Sequence, residues 1–244
     1  MDKVGNAPRR AAIFGSTGGI GSALCDVLTA RGCEIIYAGS RAGSGPAGEN
    51  IRPFAFDLTD EASIEAAAKL MKDALPEWVI VASGVLTLAD GTGPERTYKR
   101  LDSGAMAQAF ALNTIGPALI AKHVLPLMPR DRRCVFAALS ARVGSISDNG
   151  LGGWHSYRAS KAALNMLLRN FAIEIRRTHD EAIVVGLHPG TVDTALSEPF
   201  QSNLLEGQLT APDKAARDLI GVLEALSPAD SGKVFDYAGE AVAP

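Results

Sequence analysis

Apolar residues along this chain keep two rhythms. Short, nearly continuous apolar runs occupy Arg10–Phe14, Glu34–Ala38, Ile51–Phe56, Trp78–Ala82, Arg133–Leu139, Ala182–Leu187 and Lys233–Asp236. Between most of them, apolar positions return every three or four residues, over about 19–31, 60–74, 103–122, 154–178 and 212–226. The first rhythm predicts strands buried on both faces, and the second predicts helices with one apolar side. Strands that alternate with helices pair in parallel through right-handed crossovers, which place helices on both faces of one sheet. The expectation is an α/β fold: a doubly wound parallel sheet of about seven strands, with its ligand at the carboxyl ends of the strands. No internal repeat divides the chain. Gly43–Gly48 is polar and flexible but short enough to be a loop, so residues 1–244 read as one domain.

One junction carries more than topology. Arg10–Phe14 runs straight into Gly15-Ser16-Thr17-Gly18-Gly19-Ile20-Gly21, and Ala23, Leu24, Val27 and Leu28 then follow at helical spacing as far as Gly32. Strand, glycine turn, helix is the order a dinucleotide fingerprint requires. Gly15 suits the tight turn, Gly19 leaves room for a pyrophosphate, and Gly21 lets helix and strand pack closely. The helix N-terminus offers free amides and partial positive charge to phosphates. The alternative is an ordinary turn between strand and helix.

A second constellation lies in Ser156-Tyr157-Arg158-Ala159-Ser160-Lys161. Tyr157 and Lys161 stand four apart at the start of a helix, so they project from one face. A phenol ionises near pH ~10 in water, and an adjacent ammonium favours the phenolate. The expectation is a tyrosine of lowered pKa that exchanges a proton with a carbonyl or alcohol oxygen near neutral pH. The spacing alone is common on surface helices; downstream of a glycine-rich nucleotide turn it becomes specific.

Composition narrows the partners. A chain of 244 residues can bury one sizeable core. A net charge of −3 gives no reason to expect nucleic acid or an anionic membrane. The longest apolar runs, such as Cys134–Leu139, are too short to span a bilayer. Met1–Arg10 lacks the apolar core of a secretory signal. Cys25, Cys33 and Cys134 are odd in number and scattered, which suits reduced thiols in a cytoplasmic protein. His123, His155, His179 and His188 show no metal-ligand spacing and read as structural or surface histidines.

Gly15-x-x-x-Gly19-x-Gly21, Asp57-Leu58, Asn113, Tyr157-x-x-x-Lys161 and Pro189-Gly190 together resemble, in order and spacing, the classical short-chain dehydrogenases/reductases. The likeness covers nearly the whole chain. Ser140–Asn149 and Tyr157–Asn165 further resemble the C-factor-like and Sniffer-like carbonyl reductase branch. The resemblance implies a Rossmann fold and a nicotinamide dinucleotide. It implies Tyr157 as general acid/base, with Lys161 lowering its pKa and bonding the nicotinamide ribose. Asn113 would hold a water in the proton relay, where its helix is disturbed. Pro117, four residues on, has no amide to give the Asn113 carbonyl and so supplies a cause. Ser16, Thr17 and Ile20 would share the phosphate turn with the glycines. Asp57 and Leu58 would contact the adenine, although Asp57 could instead be only the polar end of a strand or a helix cap. Ala82, Ser83 and Gly84 would pass under the adenosine, and Pro189, Gly190, Val192 and Thr194 would anchor the nicotinamide amide.

Two segments depart from the family pattern. Its Ser-Ser-x-x-Gly reads Ser140-Ala141-Arg142-Val143-Gly144 here. Strict register puts Ala141 at the carbonyl-polarising position and turns Ser140 to the other face. A bulge could re-aim Ser140, Ser145 could serve from the loop, or no serine serves; Ser140 is the first candidate. A donor aimed at the developing oxyanion is worth roughly a few kcal/mol. The second departure is Val81-Ala82-Ser83-Gly84 in place of Asn-Asn-Ala-Gly, which removes side-chain amides that brace the neighbouring strand.

Cofactor choice rests on Gly39-Ser40-Arg41 at the end of the second strand. An NAD site wants a carboxylate there, and Glu34 comes too early to supply it. A guanidinium can take a 2′-phosphate bidentately, so Arg41 predicts NADP(H) over NAD(H), unless it is only a solvated loop arginine. Ala195–Thr210 mixes apolar and polar residues as a mobile substrate lid would, or as a packed surface loop would. The function expected is hydride transfer between NADPH and a carbonyl or alcohol compound. The alternative is a non-catalytic nucleotide-sensing or signalling protein on the same fold. A homodimer or homotetramer is what the family resemblance implies for assembly.

Overall fold

The computed structural model describes residues 6–203 and 207–244. Its strands are β1 (Arg10–Phe14), β2 (Ile35–Ser40), β3 (Ile51–Ala55), β4 (Trp78–Val81), β5 (Cys134–Leu139), β6 (Ala182–His188), β7 (Thr191–Val192), β8 (Leu209–Thr210), β9 (Val234–Asp236) and β10 (Ala241–Val242). Eight of them make one sheet in the order β10-β9-β6-β5-β4-β1-β2-β3, while β7 and β8 pair by themselves. All seven expected strands are present. The eighth, β10, runs antiparallel to β9, so the sheet is not wholly parallel. Its two residues carry no apolar run from which a strand could be read. The order reverses at β1, whose neighbours are β2 on one side and β4 on the other. Ligands of doubly wound sheets lie outside such a switch point.

The helices are α1 (Gly19–Ala30), α2 (Glu61–Leu70), α3 (Ser103–Phe110), α4 (Gly116–Val124), α5 (His155–Ile175) and α6 (Pro212–Ala225). Because strand side chains alternate, each strand feeds two cores. Phe136 and Ala138 of β5 meet Ile64, Ile120, Leu164 and Leu168 of α2, α4 and α5. Val135 and Ala137 meet Leu24, Leu28, Leu219 and Leu223 of α1 and α6 on the opposite face. Phe14 sits edge-on to Phe54 and Phe56 at 5.2 and 5.0 Å, an arrangement that aromatic quadrupoles favour.

Two helices differ from expectation. α2 is shorter than 60–74, because Asp60 caps its start through Ala62 N and it ends before Met71. The stretch expected at 103–122 is broken by a π-helical turn over Ala111–Ile115. Taken through to Leu127, that helical stretch is 25 residues long and holds an 18-residue window of mean hydropathy 1.2, long and apolar enough to cross a bilayer. Run length had missed this because the span depends on the average over a window. Here Ile120, Ala121 and Val124 are buried against the sheet.

Candidate active site

Loops at the carboxyl ends of β1, β4, β5 and β6 enclose a cavity of about 440 Å³. The glycine turn forms one wall. Gly15 has φ +103°, and a Cβ there would lie 2.5 Å from Ser83 Oγ. A Cβ on Gly21 would lie 2.0 Å from the Gly15 carbonyl, which is the close helix-to-turn packing the third glycine permits. A Cβ on Gly19 would lie 2.6 Å from Thr194 Cγ2. The amides of Gly15 and Ser16 both reach the Gly39 carbonyl at 2.9 Å, and the buried Ser16 hydroxyl donates to the same oxygen at 3.1 Å. The turn is therefore fastened to β2. Thr17 is exposed, and Gly18 caps α1 with no side chain over its first amides.

Ser83 supplies a bond in place of the lost amides. Its hydroxyl donates to the Phe14 carbonyl at 3.0 Å, beside the Ala82 amide on the same oxygen at 2.8 Å. The brace between β4 and β1 thus survives the loss of the family's amides. Gly84 follows, with a Cβ position only 2.9 Å from Asn113 Oδ1 and 3.5 Å from Lys161 Nζ.

Asn113 is fully buried inside the π turn, where Pro117 had predicted a disturbance. Its Oδ1 accepts from Val85 N at 2.8 Å, and its Nδ2 donates to Val85 O at 2.9 Å. A third bond reaches Ser160 Oγ at 3.2 Å, and Thr114 Oγ1 donates to Ser160 O at 2.7 Å. The break in the helix thereby ties the β4 loop to α5.

α5 begins at a strained residue. Trp154 has φ +51°, the only positive value among described non-glycine residues. Its amide donates to the Glu95 carbonyl. The Glu95 carboxylate, 61 residues away in sequence, accepts from Ser156 N at 3.0 Å and from Ser156 Oγ. It serves as the helix cap that Trp154 cannot be. Burial pushes the Glu95 carboxyl up, but the Ser156 bonds, together with its own backbone amide and the His155 charge, make the net shift downward. No local pattern in the sequence marks Glu95.

Tyr157 and Lys161 line the cavity together. The Lys161 ammonium donates to the Leu139 carbonyl at 2.8 Å and lies 5.8 Å from the centre of the Tyr157 ring. The expected lowering of the phenol is overturned: burial pushes Tyr157 up to about 12. Burial also brings Lys161 down to about 8. Desolvation disfavours both charged forms. Gly144 permits the packing, since a Cβ there would meet Lys161 Cβ at 2.8 Å.

The serine positions are now visible. Ser140 lines the cavity, and its hydroxyl donates to Asn165 Oδ1 of α5 at 2.6 Å. Ala141 is the next wall residue. Ser145 gives its hydroxyl to the Pro244 carbonyl at 3.3 Å and accepts from Asp148 N at 3.1 Å. His188 corrects another expectation, because it lines the cavity instead of lying in the body or on the surface. Burial takes its imidazole down to about 4, and its Nδ1 is buried without a partner. All three cysteines are buried thiols, pushed up to about 12, 11 and 12 by burial, so none has the character of a nucleophile.

Arg41, Asp57 and Leu58 are not among the residues lining the cavity, and Arg41 is exposed. Asp57 accepts from Thr59 N and Oγ1 at 2.8 and 2.7 Å. Those bonds hold its carboxyl below the usual range, with a smaller contribution from the Arg41 charge. Asp57 is not a helix cap; Asp60 has that role. Leu58 packs under Gly116, where a Cβ would sit 2.7 Å away. Pro189, Gly190, Val192 and Thr194 line the cavity. Beyond them Phe200 stands edge-on to Trp154 at 5.1 Å, and Trp154 in turn to Tyr157 at 6.2 Å. Residues 204–206 of the expected lid lie outside the described residues.

The family model for short chain dehydrogenase matches residues 9–204. A 1-hydroxy-2-glutathionyl-2-methyl-3-butene dehydrogenase of Rhodococcus sp. (strain AD45) is 33% identical over 225 residues, covering 91% of this chain and 93% of that protein. The C-signal protein of Myxococcus xanthus is 35% identical over 142 residues, covering 58% of this chain and 80% of its own length. An NADPH-bound carbonyl reductase from chicken fatty liver matches the fold with TM-score 0.82 and 26% identity, covering 97% of this chain and 94% of that one. The chain belongs to the short-chain dehydrogenase/reductase family, a family of oxidoreductases that work with a nicotinamide dinucleotide.

Proposed function

We propose that this protein reduces a carbonyl compound with NADPH. The observation that carries the reading is that Tyr157 and Lys161 line one cleft beside the glycine turn. A protonated phenol there can give its proton to a carbonyl oxygen as the hydride arrives.

The residues fit the cofactor. Gly15, Ser16, Thr17, Gly19, Ile20 and Gly21 would hold the pyrophosphate at the start of α1. Arg41 would take a 2′-phosphate, since β2 ends without an acid. Asp57 and Leu58 would meet the adenine, Ala82 to Gly84 the adenosine, and Pro189, Gly190, Val192 and Thr194 the carboxamide. When bound, the cofactor supplies the hydride. Tyr157 gives its proton to the carbonyl oxygen as charge develops there. Lys161, with a pKa of about 8, is largely an ammonium at neutral pH and stabilises the phenolate left behind. Asn113 holds the Val85 backbone, and so keeps Gly84 against Lys161. The wall formed by Leu86, Val143, Trp154, Leu196 and Phe200 suits an uncharged, apolar carbonyl substrate.

The test is cofactor oxidation by purified protein across aldehydes, ketones and diketones. Turnover by the wild type, abolished in Tyr157→Phe with NADPH binding retained, supports the reading. Bound cofactor with no turnover on any of them defeats it. That result would favour a nucleotide-dependent signalling protein, a reading to which Ala141 and the C-signal relative lend weight. Pairing of copies through α4 and α5 belongs to the same proposal, since Met166 and Ile173 are exposed on α5, and sedimentation would test it.

A further inference from the structure

The serine that polarises the carbonyl in the family pattern is Ala141 in this chain. Leu139 pairs with Leu187, and the Ser140 amide donates to the Leu187 carbonyl at 2.8 Å. The next residues along, Ser140 and Ala141 after β5 and His188 at the end of β6, all line the cleft. Ala141 has no donor. Ser140 gives its hydroxyl proton to Asn165, and Ser145 gives its own to Pro244. Both serine hydroxyls are thus already engaged with other groups of the protein.

His188 has the complementary problem. Its Nδ1 is buried and unpartnered, while the residue as a whole lines the cleft. A buried N–H without an acceptor is rarer in folded proteins than an unsatisfied acceptor. The bare lone pair therefore belongs on Nδ1 and the proton on Nε2, the ring nitrogen that is not among the buried unpartnered atoms. Burial, reinforced by Arg142 and opposed by Asp236, keeps the ring neutral. A neutral N–H in a fixed ring is a preorganised donor.

We propose that His188 replaces the missing serine, its Nε2–H donating to the substrate carbonyl oxygen while Tyr157 delivers the proton. The inference rests on the reductase reading above. When bound, NADPH would supply the hydride to the carbonyl carbon and be oxidised as the carbonyl is reduced. Tyr157 would give its proton to the oxygen that receives the π pair, and the phenolate would be reprotonated from solvent, while His188 keeps its proton throughout.

The experiment compares wild type, His188→Ala, His188→Gln, Ala141→Ser and the double variant Ala141→Ser/His188→Ala, with NADPH fluorescence titration as the check on folding. His188→Ala should lower kcat by about 100- to 1,000-fold, the scale for one oxyanion donor, with NADPH affinity unchanged. His188→Gln, whose amide N–H reaches a similar place, should retain more activity than His188→Ala. Ala141→Ser should restore most of the loss in the double variant, which a merely structural role for the histidine would not allow. Wild-type kcat in His188→Ala, or a loss that Ala141→Ser does not recover, overturns this inference and leaves the reductase reading standing. A wild type that binds NADPH but reduces nothing takes down both.

Discussion

The hydroxyl of Ser140 donates to Oδ1 of Asn165 across 2.6 Å, joining the end of β5 to the middle of α5. The bond braces the strand against the helix. Ser140→Ala should therefore cost about 1 kcal/mol, the usual net worth of one such bond, and leave most turnover in place. Thermal denaturation and steady-state kinetics check it together. A kinetic loss as deep as that of Tyr157→Phe would return Ser140 to the chemistry.

Lys161 sets the expected pH dependence. Burial lowers it from 10.5 to about 8, so it is an ammonium below that pH and a neutral amine above it. Only the ammonium attracts the phenolate that forms when Tyr157 gives up its proton. Reductive kcat should therefore hold steady toward neutral pH and decline as pH rises through about 8. Tyr157, at about 12, stays protonated over that range and does not cause the decline. A kcat profile flat to pH 10, measured with cofactor and substrate saturating, would contradict this assignment.

Glu95 holds the first turn of α5 through Ser156. Glu95→Ala should cost about 1–2 kcal/mol for the lost cap, and kcat should fall because Tyr157 is the next residue. The pH sign follows from the depressed carboxyl. Its folded pKa lies below the reference value of 4.5, so its contribution is present above that pH and is lost as pH falls through the folded value. The stability gap between wild type and Glu95→Gln, read from denaturant melts, should narrow in acid. A gap independent of pH would show that the charge is irrelevant.

Arg41 should decide between the two dinucleotides. A charge-assisted bond to a phosphate is worth roughly 1.5–3 kcal/mol, so Arg41→Ala should raise the KM for NADPH by at least about tenfold. NADH kinetics should stay nearly unchanged. Equal losses with both cofactors would mean that the arginine does not read the 2′ position.

Much of this architecture was legible because its causes are local. β1, the glycine turn and α1 follow from a buried run, residues that permit tight turns and helical spacing. The π turn at Asn113 was legible through Pro117, which removes an amide four residues on. β10 was hidden because two residues have no periodicity. Ser83 stands in for a lost amide, which only the nearby Phe14 carbonyl reveals. Glu95 caps a helix 61 residues downstream, and such a partner leaves no mark on its own segment. His188 looked structural because openness to a cleft is a property of neighbours, not of spacing.

By itself the sequence determined where strands, helices and the nucleotide turn lie, and that a phenol and an amine share one helix face. Those features depend on residues a few positions apart. The tertiary structure decided the protonation of that pair, because burial acts through every atom packed around a group. Desolvation lifts the phenol to about 12 and drops the amine to about 8, against the shift that the helical spacing alone suggests.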